Sequence, residues 1–170
     1  FDNVIINSTT YNFTPAPDPL APPAECTGMT FAGSPIVGTS SSEKIVGTNG
    51  NDLIFAMGGS DLVEGRGGND CIVGGDGSDK LLGEGGADVV LGQSGSDAIE
   101  GGGAADKIYG GDDSDSLKGD AGNDDIFGGN GSDSLRGGEG NDDLFGDGGS
   151  DSLRGDGGGS DTANGGANTD

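Results

Sequence analysis

Histidine and tryptophan are missing from this chain of 170 residues, and basic side chains are few, with seven Lys and Arg against thirty Asp and Glu. Without histidine there is no His-based catalytic triad and no usual zinc site. The formal charge of −23 argues against nucleic acid or an anionic membrane as a partner. No apolar run is long enough for a helix to span a bilayer, so membrane insertion is not expected. An EF-hand is excluded as well, because its loop ends in a glutamate and lies between helices. The many Ser-Asp pairs are products of a repeat, which leaves an enzyme as the least supported class.

The chain is instead rich in glycine, with forty residues, and in one recurring aspartate. Asp52, Asp61, Asp70, Asp79, Asp88, Asp97, Asp106, Asp115, Asp124, Asp133, Asp142 and Asp151 follow one another at intervals of nine. Two residues after each stands an aliphatic side chain, from Ile54, Val63 and Ile72 through to Leu144 and Leu153. A short fixed period of this kind dictates a solenoid. A flexible linker or disordered acidic tract is the other reading of such a composition, but linkers do not place Ile, Val or Leu every nine residues.

Gly128-Gly129-Asn130-Gly131-Ser132-Asp133-Ser134-Leu135-Arg136 is one copy of G-G-x-G-x-D-x-U-x, and Gly137 to Phe145 is the next. Here the chain resembles the repeats-in-toxin (RTX), or haemolysin-type, calcium-binding family, over roughly two thirds of its length. The resemblance implies an all-β fold, a parallel β-roll (a right-handed β-solenoid with two nonapeptides per coil), with calcium in its turns.

Elementary physics leads the same way. Glycines at the first, second and fourth positions permit a tight turn through φ > 0, and x-U-x is a three-residue strand with one side chain inward. One such unit cannot bury its aliphatic residue, so coils must stack. Carboxylates repeated in the turns repel unless a hard, oxygen-seeking cation sits between them, and calcium's flexible coordination suits the role better than magnesium's octahedron. The twelve aspartates and a displaced thirteenth, Asp161, make the expected ligand set. With each ion bridging consecutive turns on one side, about eleven Ca2+ ions are expected, close to cancelling the charge. Stability should then be largely metal-binding free energy, and disorder is expected without calcium.

The residue before each aspartate alternates between Asn or Ala (Asn51, Asn69, Ala87) and Ser (Ser60, Ser78, Ser96), so the true repeat is eighteen residues with two unlike faces. Phe55, Val73, Leu91, Tyr109, Phe127 and Phe145 should stack as one outward apolar column, while Glu64, Leu82, Glu100, Lys118, Arg136 and Arg154 occupy the same place on the other face. Such a column is either cross-strand stacking on an exposed sheet or an interface, covered by the chain's own N-terminal segment or by a neighbouring subunit. Cys71 lies on this face and Cys26 follows a proline run. The pair forms a Cys26–Cys71 disulfide, which fits an extracellular compartment, or stays as two thiols.

Four segments are expected: an extended strand over 1–14, a Pro-rich tether over 15–23, an apolar lead-in over 24–38 and the β-roll over 39–170. Phe1 as first residue suggests a lost leader or a fragment of a longer precursor. Glu43 takes the aspartate register in a half-capped first turn. Departures from the repeat are Ala56 at a first glycine, Met57, Arg66, Glu84 and Gln93 at second glycines, and Ala104 and Asp113 at fourth ones. Asp76, Asp112 and Asp113 are candidate extra ligands, and Arg154-Gly155-Asp156 is an incidental tripeptide of the register. The last coil lacks an apolar cap, which together with the detached first strand points to head-to-tail self-association. The expected function is that of a secreted, calcium-rigidified structural subunit of a filament or surface layer. The alternative is a calcium-dependent secretion, folding or adhesion module of a larger exported protein.

Overall fold

The computed structural model describes residues 21–166 together with two short strands, β1 (Ile5–Ile6) and β2 (Thr9–Thr10), which pair antiparallel. The remainder of the expected 1–14 strand, positions 15–20 of the tether and residues 167–170 lie outside the described residues. A single 3-10 turn, Ala24–Cys26, precedes β3 (Ile36–Val37) and β4 (Lys44–Val46). The regular coils then run through β5 (Leu53–Gly58), β6 (Leu62–Gly67), β7 (Cys71–Asp76), β8 (Lys80–Gly85), β9 (Val89–Ser94) and β10 (Ala98–Gly103). They continue through β11 (Lys107–Asp112), β12 (Ser116–Ala121), β13 (Asp125–Gly131), β14 (Ser134–Glu139), β15 (Asp143–Gly149), β16 (Ser152–Asp156) and β17 (Thr162–Asn164).

Odd-numbered strands from β3 to β17 form one eight-stranded parallel sheet, and even-numbered strands from β4 to β16 form a seven-stranded one. Each strand pairs with the strand two further along, so Ile54 lies opposite Ile72 and Val63 opposite Leu81, eighteen residues on. The fold is therefore the all-β parallel β-roll, with two nonapeptides per coil. Between the sheets the aliphatic residues form one column, in which Ile54, Val63, Ile72, Leu81, Val90, Ile108, Ile126 and Leu144 are completely buried. Two consecutive nonapeptides contribute to opposite sheets, so each coil fills its own section of a core that no single unit could enclose.

Two expectations about local structure change. Most strands have six residues rather than three, because pairing continues into the glycine positions, as in Met57 opposite Gly75 and Gly58 opposite Asp76. The turn proper shrinks to about three residues. Second and fourth positions do adopt the left-handed conformation, with φ of 109° at Gly75 and 128° at Gly77. First positions do not, and glycine is needed there for space. The departures named above keep the turn shape under strain, with φ of 82° at Met57, 82° at Arg66 and 79° at Ala104.

The outward columns stand as expected. Phe55, Val73 and Leu91 are buried, and beyond them Tyr109, Phe127 and Phe145 stack with ring centroids 4.9 and 5.0 Å apart. The chain covers part of its own apolar face. Cys26, Met29 and Phe31 pack with Leu53, Phe55, Cys71, Val73, Val89 and Leu91 in a second hydrophobic cluster. The Cys26–Cys71 disulfide is formed, with Cα atoms 6.1 Å apart.

Candidate metal centre

Every turn places its aspartate at the start of a strand, directed into the interior of the roll. There Oδ1 accepts a hydrogen bond from the backbone N–H of the aspartate one coil earlier. Asp52 N donates to Asp70 Oδ1 at 2.8 Å, Asp61 N to Asp79 Oδ1 at 2.8 Å, Asp88 N to Asp106 Oδ1 at 2.8 Å, and the pattern continues to Asp133 N on Asp151 Oδ1 at 3.0 Å. The displaced Asp161 rejoins it, accepting from Asp142 N at 3.2 Å. All thirteen expected aspartates thus fall on two ladders, one along each edge where the sheets meet.

The second oxygen is different. In eleven aspartates, from Asp61 through Asp151, Oδ2 is buried and has no hydrogen-bond partner. A buried carboxylate oxygen without a partner is costly, on the order of 1–3 kcal/mol and more when charged. In the ten turns from Asp70 through Asp151 this oxygen also points at the first glycine of its own turn, whereas the Asp61 turn has Ala56 at that position. A methyl group placed on Gly65 would meet Asp70 Oδ2 at 2.6 Å and Gly83 O at 3.0 Å, and one on Gly128 would meet Asp133 Oδ2 at 2.6 Å and Gly146 O at 2.8 Å. Carboxylate and carbonyl oxygens from successive coils converge on a space that any side chain would fill.

Burial, with repulsion from neighbouring aspartates, pushes these carboxyls upward. Asp70 and Asp97 rise to about 7 and Asp106 to about 8, and Asp88, Asp115 and Asp124 to about 6. Asp79, Asp133 and Asp142 are raised for the same principal reason, loss of water. Ionised carboxylates in these places require a compensating cation. Among the described residues no cluster of three or more Asp, Glu, His or Cys side chains is gathered. The donor set is therefore carboxylates and backbone carbonyls, hard oxygens of the kind calcium selects.

Residues 37–72, 67–99, 91–126, 100–135, 118–153 and 127–160 match the family model of the RTX calcium-binding nonapeptide repeat (4 copies). The chain belongs to the RTX calcium-binding repeat family. No curated protein matches it. RTX repeats bind calcium, and the orphaned oxygens, the glycine cradles and the oxygen-only donors of this chain fit that ion.

Two members of the RTX ladder stand apart. At Asp52, Oδ2 accepts from Thr48 N at 2.6 Å and from Thr48 Oγ1 at 2.9 Å. At Glu43, the backbone joins the ladder through Asp61 Oδ1 at 2.7 Å, while the carboxylate accepts from Thr39 N and Thr39 Oγ1, both at 2.8 Å. Thr39 and Thr48 occupy the second-glycine position of their turns. That substitution was visible in the sequence, but it carries meaning only once the hydroxyl is seen to reach the carboxylate four residues on. The Asn and Ser that precede the aspartates were likewise legible as a pattern without a role. They form outer ladders, with Asn51 Oδ1 accepting from Asn69 N at 2.8 Å and Ser114 Oγ from Ser132 N at 3.1 Å. Asp76, Asp112 and Asp113 lie exposed at turns, and Asp112 Oδ1 accepts from Asn130 Nδ2 at 2.8 Å. Asp156 of the Arg-Gly-Asp tripeptide is shared by Arg136 and Arg154.

Proposed function

We propose that this chain is a secreted structural protein whose β-roll folds on calcium and stiffens with it. The observation that carries this reading is the set of eleven buried Asp Oδ2 atoms left without partners, ten of them beside glycine cradles. Asp61 through Asp151 would hold the ions, with Asp161 completing the last coil and Asp52 contributing least, since Thr48 already satisfies it. Roughly one ion per orphaned oxygen gives about eleven Ca2+, whose charge nearly offsets the net −23.

An extracellular setting is supported by the Cys26–Cys71 disulfide, which reducing compartments would not preserve. Self-association is the finer part of the proposal. Both sheets end in strands with one partner among the described residues, β3 and β4 at one end and β16 and β17 at the other. At the N-terminal end β1 and β2 pair with each other, which leaves each with one outer edge that a neighbouring copy's edge strand can accept. The segment limits 1–14, 15–23, 24–38 and 39–170 belong to the same proposal, with the roll as the rigid part.

The test is a calcium titration of the calcium-free chain, followed by calorimetry for stoichiometry, circular dichroism for folding, and light scattering with negative-stain microscopy for assembly. Expected are about eleven ions, a coil-to-sheet transition and calcium-dependent oligomers that a chelator dissolves. A sheet spectrum indifferent to calcium would overturn the calcium reading. A calcium-folded chain that stays monomeric at all concentrations would overturn assembly alone and favour a module of a larger exported protein.

A further inference from the structure

The outer asparagine ladder breaks in its middle. Asn51 Oδ1 accepts from Asn69 N at 2.8 Å and Asn69 Oδ1 from Ala87 N at 3.0 Å, and the rungs resume where Asn123 Oδ1 accepts from Asn141 N at 2.9 Å. Between them stand Ala87 and Ala105, whose side chains have no acceptor to offer the next coil. The backbone N–H groups of Ala105 and Asn123 consequently find no partner among the described residues.

A cavity of about 300 Å³ opens at this break. Ala87 and Ala105 line it beside Asn69, while Val89 and Met29 give it an apolar wall. Gly28 and Thr30 of the N-terminal cover close another side. That side is held in place, because the Asn51 carboxamide donates to Thr30 O at 3.1 Å, Ala32 N donates to Asn51 O at 2.8 Å, and the Cys26–Cys71 bond anchors the segment. Lys107 also lines the cavity, and it is the single cation on the strands of the eight-stranded sheet. We infer that this break is a binding site for a small carboxylate with a short apolar body, whose oxygens stand where position 87 lacks an Asn side chain.

The polar groups that converge here are donors. Ala105 offers its backbone N–H, Asn69 its Nδ2, which has no partner among the described residues, and Lys107 its ammonium. Lys107 bridges to Asp125 at 3.0 Å, which uses one of its three donors. Asp88 is the one carboxylate lining the cavity, but its Oδ1 accepts from Asp70 N at 2.7 Å and its Oδ2 is turned towards Gly83 in its own cradle. A cation would therefore meet donors, and a neutral apolar molecule would leave them unpaired at a cost. A carboxylate is nearly isosteric with the carboxamide that completes the other rungs, and its charge adds an ion pair with Lys107. An apolar wall beside a few converging polar groups is the usual make-up of a small-molecule site. Self-association plays no part in it, and calcium is needed only to fold the roll around it.

The test is an amide correlation spectrum of the isotope-labelled whole chain in saturating calcium, titrated with sodium butyrate. Sodium chloride matches the ionic strength, and butanol serves as the uncharged counterpart. Expected is a saturable shift of the Ala105 amide and the Asn69 side-chain amide, half-complete at about 1–10 mM, which butanol does not reproduce. A87N restores the rung from within the fold and should abolish the shift, and K107Q should raise the midpoint about tenfold. Both variants change side chains outside the aliphatic core, and a dispersed spectrum verifies that they fold. Shifts that grow linearly without saturating, that persist undiminished in A87N, or that butanol produces equally would each overturn the proposal.

Discussion

At Asp52 the outer carboxylate oxygen accepts two hydrogen bonds from Thr48, at 2.6 and 2.9 Å, whereas at Asp106 the equivalent oxygen has no partner and burial pushes the acid up to about 8. The same repeat is thus completed in two ways. In the first two turns the protein satisfies the carboxylates itself, through threonine caps on Glu43 and Asp52, and the coils that follow gain a disulfide and a hydrophobic cover of Cys26, Met29 and Phe31. From Asp61 onward it supplies half of each site and leaves the other half to a cation. A ladder of identical turns therefore need not be equally dependent on its ion. One hydroxyl at the second-glycine position is enough to change the balance.

Removing calcium should expose this contrast most strongly. With a chelator at neutral pH, hydrogen exchange is expected to become rapid over coils from about residue 80 to 164, while amides of 36–76 keep part of their protection. Loss of protection at one rate throughout would show that the caps and the disulfide do not hold the first coils independently.

Acidification should reverse part of that loss. Asp70, Asp97 and Asp106 are raised in the fold to about 7, 7 and 8 from the 3.8 of an exposed carboxyl. The folded, ion-free chain therefore holds more protons than the unfolded one, and its stability is greatest below about pH 4 and falls as pH rises through 6–8. Sheet signal in chelator should increase from pH 8 to pH 4, and calcium affinity should weaken over the same interval. A calcium-free chain equally unfolded at both pH values would contradict the burial of these groups.

Reducing or replacing the disulfide should act only on the covered end. For Cys26→Ser with Cys71→Ser, closing a 45-residue span is no longer imposed on the unfolded chain, a loss of about 2–4 kcal/mol. Peptides over 24–76 should exchange faster, and those beyond 110 should not. A global change would mean that the two ends fold as one unit.

A methyl group distinguishes a cradle from an ordinary turn. Gly128→Ala crowds Asp133 Oδ2 and Gly146 O, and is expected to destabilise the calcium-loaded roll by about 1–3 kcal/mol and to remove about one ion from the calorimetric count. Ala56, which already carries that methyl group in the Asp61 turn, marks the boundary between the two regimes. The smallest effect belongs to Asp52→Asn, which should leave the calcium midpoint within about twofold, whereas Asp106→Asn should raise it about tenfold. Equal shifts at the two positions would erase the distinction drawn here.

The nine-residue spacing of aspartate and aliphatic residues was sufficient for the architecture, since only stacked coils bury Ile54, Val63 and Ile72 on one axis. The alternation of Asn69 and Ser78 likewise disclosed the eighteen-residue coil and its unlike faces before any strand was placed. What the repeat left open was where each polar atom ends. Strand length was underestimated because pairing at Met57 and Gly75 depends on a neighbouring coil, which no local pattern displays. Second- and fourth-position glycines are needed for conformation and first-position ones for room, a difference that becomes visible only when Asp70 Oδ2 is seen against Gly65.

Period, charge and composition by themselves determined that this chain is a coiled, acidic, oxygen-rich solenoid, because burial of one side chain per nine residues has a single economical solution. Contacts between segments distant in sequence decided the rest. The choice between two free thiols and one bond at Cys26 and Cys71, and between an open and a self-covered apolar face, turned on the path of residues 21–31 across the sheet. Such a path has no period to reveal it; it is settled by which surfaces lie within reach once the coils are stacked.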